Sequence, residues 1–92
     1  MSAPLIFITG ASSGIGQALA AHYAQQGWRL ALVARRVEAM QAWALAQGLG
    51  AERCVAYAAD VSNIDSIVAA GKHCIEQQGL PDVVIANAGI SE

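Results

Sequence analysis

Positive charge is scarce in this chain: five lysines and arginines stand against seven aspartates and glutamates, for a net charge of -2 at pH 7 over 92 residues. Binding to a nucleic-acid backbone needs a basic patch that neutralises several phosphates. Too few basic residues exist to build one, and the isoelectric point near 5.5 agrees. The only lysine is Lys72, which rules out a P-loop, whose glycine turn must run into Lys-Ser or Lys-Thr. No apolar run approaches the ~20 residues of a membrane span. Met1 to Ile8 also lacks the basic leader and the apolar length of a secretory signal. These absences predict a soluble, cytoplasmic chain with neither a membrane nor a nucleic-acid partner. Cysteine is limited to Cys54 and Cys74, with no C-x-x-C pair, so buried thiols are expected rather than a disulfide or a metal site.

What is abundant is apolar: 55% of residues are hydrophobic and 13% charged, with a mean hydropathy of +0.42. A chain of this length makes one domain at most and has much surface per volume. So large an apolar share is more than it needs, and part of it is expected to lie against further structure or a partner chain. Short apolar runs alternate with helical patterns in the order β-α-β-α-β-α-β, without linker or low-complexity stretch. Strands are expected near Leu5–Thr9, Leu30–Ala34, Cys54–Ala58 and Val83–Asn87. Each is continuously apolar, the mark of strands covered on both faces in a parallel sheet, with right-handed crossovers between them.

Helical periodicity supplies the connecting faces. The first helix, Gly14 to Gln26, is expected to bury Ile15, Ala18, Leu19 and His22 and to stop at Gly27. The second, Val37 to Gln47, carries Val37, Met40 and Ala44 with Trp43 beside them and stops at Gly48. In the third, Ser62 is the expected N-cap, Ile64, Ile67, Val68, Gly71 and Ile75 form the inward stripe, and Gly71 lets the helix lie close to the sheet. His22 reads as a core histidine with a hydrogen-bonded partner and His73 as solvated. Neither has a reacting group nearby to make it an acid–base catalyst.

Thr9-Gly10-Ala11-Ser12-Ser13-Gly14-Ile15-Gly16 follows the first strand directly. A strand running into a glycine turn and then a helix brings free backbone N–H groups and a positive dipole end to one point, an arrangement suited to phosphate. The spacing is T-G-x-x-x-G-x-G rather than G-x-G-x-x-G, and such a turn can also be merely a tight connection.

Together with Asp60-Val61 and Asn87-Ala88-Gly89, this motif makes the chain resemble the N-terminal part of the classical short-chain dehydrogenase/reductase family over essentially all 92 residues. The resemblance implies a truncated Rossmann-type α/β domain spanning residues 1–92, with strand order 3-2-1-4 and a nicotinamide dinucleotide as ligand. Gly10, Ser12, Ser13, Gly14, Ile15 and Gly16 then surround the adenosine ribose and pyrophosphate, with the Ile15 N–H toward phosphate. Asp60 and Val61 flank the adenine, the carboxylate accepting from its exocyclic amine. Asn87, Ala88 and Gly89 close the fourth strand beside the ribose, and Thr9 links the first and fourth strands. Asp60 making a plain Asx turn, and Asn87-Ala88-Gly89 serving as an ordinary strand exit, are the alternatives. Ala86 stands where many members of the family have a further asparagine.

The end of the second strand discriminates NAD from NADP, since a carboxylate there binds the ribose 2′-hydroxyl and an arginine pairs with a 2′-phosphate. Here Arg35 and Arg36 follow the strand and no acid appears before Glu38, so NADP is expected over NAD. Two cations at a helix N-terminus oppose its dipole, a conflict that a phosphate removes; solvated surface arginines are the alternative.

The family's catalytic Tyr-x-x-x-Lys is absent: Tyr23 and Tyr57 are followed four positions on by Gly27 and Val61. No catalytic residue and no metal ligand is identified. The expected whole is an NADP-dependent oxidoreductase acting on a carbonyl or alcohol, of which this chain is an inactive N-terminal fragment. A free-standing nucleotide-binding or interaction module is the alternative. The strand Val83–Asn87 is expected to be an uncovered apolar edge, open to pairing in a homo-oligomer.

Overall fold

Runs of Leu, Ile, Val, Phe and Ala leave few choices but burial on both sides, and the chain forms a four-stranded parallel sheet with helices on each face. The computed structural model describes residues 3–11, 14–60 and 62–87. The elements run β1 (Leu5–Thr9), α1 (Gly14–Gln25), β2 (Arg29–Ala34), α2 (Val37–Ala46), β3 (Cys54–Ala58), α3 (Ile64–Gln77) and β4 (Val83–Ala86). The sheet order is β3-β2-β1-β4, with all three pairings parallel. β1 is therefore central. Its register sets Phe7 between Ala31 of β2 and Val84 of β4.

Alternate residues of each strand serve opposite faces. Ile6 and Ile8 join Leu30, Leu32, Ala20, Met40 and Ala44 in a core beneath α1 and α2. Leu5 and Phe7 join Ala31, Val33, Tyr57, Ala70 and Cys74 beneath α3. All five β1 residues are buried, and sheltering each large side chain contributes about 1.5–3 kcal/mol. Both cysteines are buried and unpaired, as the sequence predicts.

Helix rotation departs from the sequence reading in two places. On α1 the buried positions are Gly16 and Ala20, with Leu19 and Tyr23 packed against the core. Ile15 is 70% exposed. His22 is exposed too and meets only the edge of Tyr23, 5.3 Å between ring centroids, so it is not a core histidine. On α3 the inward residues are Ala70 and Cys74 with Ile67 beside them. Ile64, expected inside, is 77% exposed, and Val68 and Ile75 are half exposed. Gly71 has open space around its Cα and makes no close approach to the sheet.

Polar anchors explain the α3 rotation. Gln78, just past the helix, donates from Nε2 to the Leu30 carbonyl at 3.0 Å, while its Oε1 accepts from the Tyr57 hydroxyl at 3.0 Å and from the Cys74 thiol. These bonds turn Cys74 inward whatever the hydropathy of the opposite stripe. Arg29 donates to the carbonyls of Ala3 and Gln78, Arg53 to those of Ala24 and Trp28, and Asp82 Oδ2 accepts from the Leu5 N–H. The N-terminal end of the sheet is thus closed by polar side chains.

At the opposite end α1 presses on the turn it follows. A Cβ on Gly16 would strike the Gly10 carbonyl oxygen and lie 2.8 Å from Ala11 Cα. That contact fixes Gly16 inward, and Ala20 and Tyr23 follow at i+4 and i+7. Gly10 itself has φ +63, and a Cβ there would sit 2.6 Å from the Asn87 carbonyl oxygen.

Two expectations follow. Gly16→Ala should lower stability by about 1–3 kcal/mol through overpacking against backbone. Gly14→Ala, where nothing lies within 4 Å of an added Cβ, should raise it by at most about 1 kcal/mol; urea melts of both variants compare the two. Burial pushes the Cys54 thiol from an ordinary 9.0 up to about 11, and the Tyr57 phenol from 10.0 to about 12. The fold favours the neutral forms, so their contribution is complete below the unfolded-state pKa and is lost as pH rises through the folded one. The melting temperature should fall between pH 9.0 and about 11, and less steeply in Cys54→Ala.

Candidate functional site

In an open parallel sheet the carboxyl ends of the strands form the ligand crevice where the strand order reverses. Here β1 lies between β2 and β4 although it precedes both, so the reversal falls at the glycine turn. Four segments meet at that end: Thr9-Gly10-Ala11, Arg35-Arg36, Ala59-Asp60 and Asn87.

Backbone and side-chain bonds tie these segments together. The Ala11 N–H donates to the Val33 carbonyl at 3.0 Å and the Ala59 N–H to the Ala34 carbonyl at 3.1 Å, continuing the parallel ladder past the strand ends. The Thr9 hydroxyl donates to the Asn87 carbonyl at 3.3 Å, with the Ile85 carbonyl at 3.5 Å. Asn87 Nδ2 in turn donates to the Gly10 carbonyl at 3.2 Å. Thr9 thus links β1 to β4, in keeping with the sequence expectation, and Asn87 latches the glycine turn.

Each glycine of the turn meets a different demand. Gly10 needs its positive φ and the room that Asn87 occupies, and Gly16 allows α1 to touch the turn. Gly14 has an open surrounding, so no described atom of the chain requires a glycine there. α1 has no acidic residue in its first turn, whereas α2 has Glu38 and α3 has Asp65. Its N-terminus is therefore the one among the three helices without a local carboxylate to repel an anion.

The arginines stand at the end of β2. Arg35 and Arg36 are exposed, in contrast with Arg29 and Arg53, which are spent on backbone carbonyls. Arg36 is the N-cap residue of α2 and its side chain makes no cap bond. Arg35 acts electrostatically on Asp60.

Asp60 corrects the sequence reading. The N-cap of α3 is Asn63 rather than Ser62, its side chain accepting from the Ser66 N–H at 3.2 Å. Ser62 instead donates to Asp60 Oδ1 twice, from its N–H at 3.0 Å and from its hydroxyl at 2.7 Å. Asp60 thus makes the Asx turn, and one of its oxygens is taken. The Ser62 bonds, joined by Arg35, hold its carboxyl below the ordinary 3.8. An aspartate two residues before a serine at a strand exit is an Asx-turn signature, and that signal was available in the sequence.

Of the site residues expected from sequence, Gly10, Gly14, Gly16, Arg35, Arg36, Asp60 and Asn87 come together at this sheet end. The Ile15 side chain is exposed there. Ser12, Ser13, Val61, Ala88 and Gly89 lie outside the described residues. Among the described residues, no group of His, Cys, Asp and Glu could hold a metal ion, and no helix is long and apolar enough to cross a membrane.

The chain is 38% identical over 89 residues to 11-beta-hydroxysteroid dehydrogenase-like 2 of Arabidopsis thaliana, an alignment covering 96% of this chain and 29% of that protein. A short-chain dehydrogenase structure from Streptomyces avermitilis superposes with a TM-score of 0.78 at 31% identity, over 90% of this chain and 30% of that one. An alcohol dehydrogenase from the archaeon Thermococcus sibiricus, complexed with 5-hydroxy-NADP, gives 0.77 at 34% identity, over 90% and 36%. The chain therefore spans about three tenths of the length of such relatives. With the short chain dehydrogenase family model matching residues 4–92 and the sheet in the order 3-2-1-4, the chain belongs to the short-chain dehydrogenase family.

Proposed function

We propose that this chain is the NADP(H)-binding N-terminal part of a Rossmann-type oxidoreductase acting on a carbonyl or an alcohol, with residues 1–92 belonging to a single dinucleotide-binding domain. The observation that carries the reading is the exposed Arg35-Arg36 pair at the carboxyl end of β2, free of backbone duties that occupy Arg29 and Arg53. A guanidinium offers a planar fork of donors to a phosphate, and its charge there is unfavourable to the α2 dipole until an anion arrives.

The remaining residues fit the same ligand. Gly14 leaves room for a diphosphate to approach backbone N–H groups at the start of an acid-free helix. Asp60 has an acceptor for the exocyclic amine of adenine, and Asn87 braces the turn from the far side. Ser12, Ser13, Ile15, Val61, Ala88 and Gly89 complete the binding set on the family's pattern. The chemistry supplied by such a cofactor is hydride transfer at its nicotinamide ring. Complexation of the Thermococcus sibiricus relative with 5-hydroxy-NADP supports the choice of phosphate-bearing cofactor.

A second reading, a nucleotide-binding module without a reaction of its own, is favoured for these 92 residues by one observation. Neither tyrosine is followed by lysine four positions on, so the residues at hand bind and orient but move no proton to substrate. The outer edge of β4, where Val84 is 61% exposed, fits pairing with a second copy through Val83–Asn87, and a cytoplasmic setting suits the ligand.

Arg35→Asp should bind NADPH about tenfold more weakly or worse, the loss of a charge-assisted bond, while NADH affinity holds or improves. Tryptophan-fluorescence titration with both nucleotides measures this, and an unchanged NADPH preference overturns the cofactor assignment. The purified 92-residue chain should give no NADPH-coupled turnover with carbonyl substrates; measurable turnover contradicts the residue inventory.

A further inference from the structure

Asp60 is held on every side by the start of α3. Its N–H donates to Ser66 Oγ at 3.0 Å, its carbonyl accepts from the Asn63 N–H at 2.9 Å, and Ser62 supplies both donors to Oδ1. Asn63 then returns to Ser66 as the helix cap. The backbone of Asp60 and the first turn of α3 are therefore one interlocked unit, from which the Asp60 carboxylate projects at the carboxyl end of β3.

A carboxylate oxygen has two lone-pair sites. With Oδ1 receiving a backbone N–H and a hydroxyl, its capacity is filled, and Oδ2 has no hydrogen-bond donor among the described residues. The 2.7 Å hydroxyl bond is the short, charge-assisted kind and resists rotation about the side chain. We propose that Ser62 is a positioning residue for base recognition: it locks one oxygen of Asp60 so that the other is offered, at fixed angle, as a lone acceptor to a donor group on the nucleotide base. The proposal rests on the Asp60–adenine reading above and adds to it the device that makes the recognition selective.

A fixed anionic acceptor accepts from a 6-amino group and repels a 6-oxo group, so the consequence is discrimination between adenine and hypoxanthine. An unlocked carboxylate can rotate away and tolerates either base. The lowered pKa of Asp60 keeps that acceptor ionised.

The test compares NADPH with its hypoxanthine analogue by fluorescence titration of the whole chain, wild type, Ser62→Ala and Ser62→Thr. Wild type should favour the adenine form roughly tenfold or more, the ratio expected of a hydrogen bond to a charged group. Ser62→Ala, which keeps the backbone donor, should lose about half of that ratio on a logarithmic scale, and Ser62→Thr should retain it. Carbon-detected NMR should find the Asp60 pKa raised toward 3.8 in Ser62→Ala. Equal affinity of wild type for both forms overturns the Asp60–adenine reading and this proposal with it. A full adenine preference in Ser62→Ala, or equal weakening toward both forms, overturns the positioning role alone. An unmoved Asp60 pKa does the same.

Discussion

Contact between the Gly16 face of α1 and the Gly10-Ala11 turn is the constraint on which the rest of this structure depends. No side chain fits between them, since a Cβ would run into the Gly10 carbonyl oxygen and Ala11 Cα. With the two backbones in contact, the rotation of α1 is settled, Ala20 and Tyr23 are carried inward, and the helix N-terminus is aimed at the end of β1. The same turn is gripped from the other side by Asn87 through its amide and its carbonyl. Strands β1 and β4, far apart in sequence, are thereby joined at the point where the crevice opens.

The sheet is asymmetric along its strands, and the asymmetry separates stability from binding. At the N-terminal end, Arg29, Arg53, Gln78 and Asp82 make bonds to backbone, and Gln78 also accepts from the Tyr57 hydroxyl. At the carboxyl end Arg35 and Arg36 stand exposed, beside an aspartate held ionised and a glycine with empty space above it. A buried polar group without a partner costs several kcal/mol, and at the first end most donors are bonded within the chain, Arg53 Nε being a buried donor without a partner among the described residues. Residual donors and acceptors accumulate at the second.

The strands and their order of appearance were legible because continuously apolar runs mark strands of a parallel sheet; β1 and β2 are buried on both faces, while edge strand β4 keeps Val84 exposed. The glycine turn was legible because only glycine tolerates the Gly10 conformation and the Gly16 contact. Helix faces were not. Counting apolar residues on α3 favoured Ile64, Val68 and Ile75, yet Ile64 is outward and the other two are half exposed, since the bonds of Gln78 to Leu30 and Tyr57 on distant strands outweigh a hydropathy stripe. The Asp60 environment was half legible: Asp-x-Ser announces an Asx turn, but assigning the helix cap to Ser62 concealed it, and Asn63 performs that task.

By itself the sequence determined the elements, the parallel sheet, the buried thiols and the family motif, all of which follow from local composition and from short-range spacing. Tertiary structure alone decided which way α3 turns and that Asn87 reaches Gly10. Those outcomes depend on bonds and contacts between residues as much as 77 positions apart. A pattern read along one helix carries no information about the partner waiting on a distant strand, because the energy that selects the rotation arises only when the two surfaces meet.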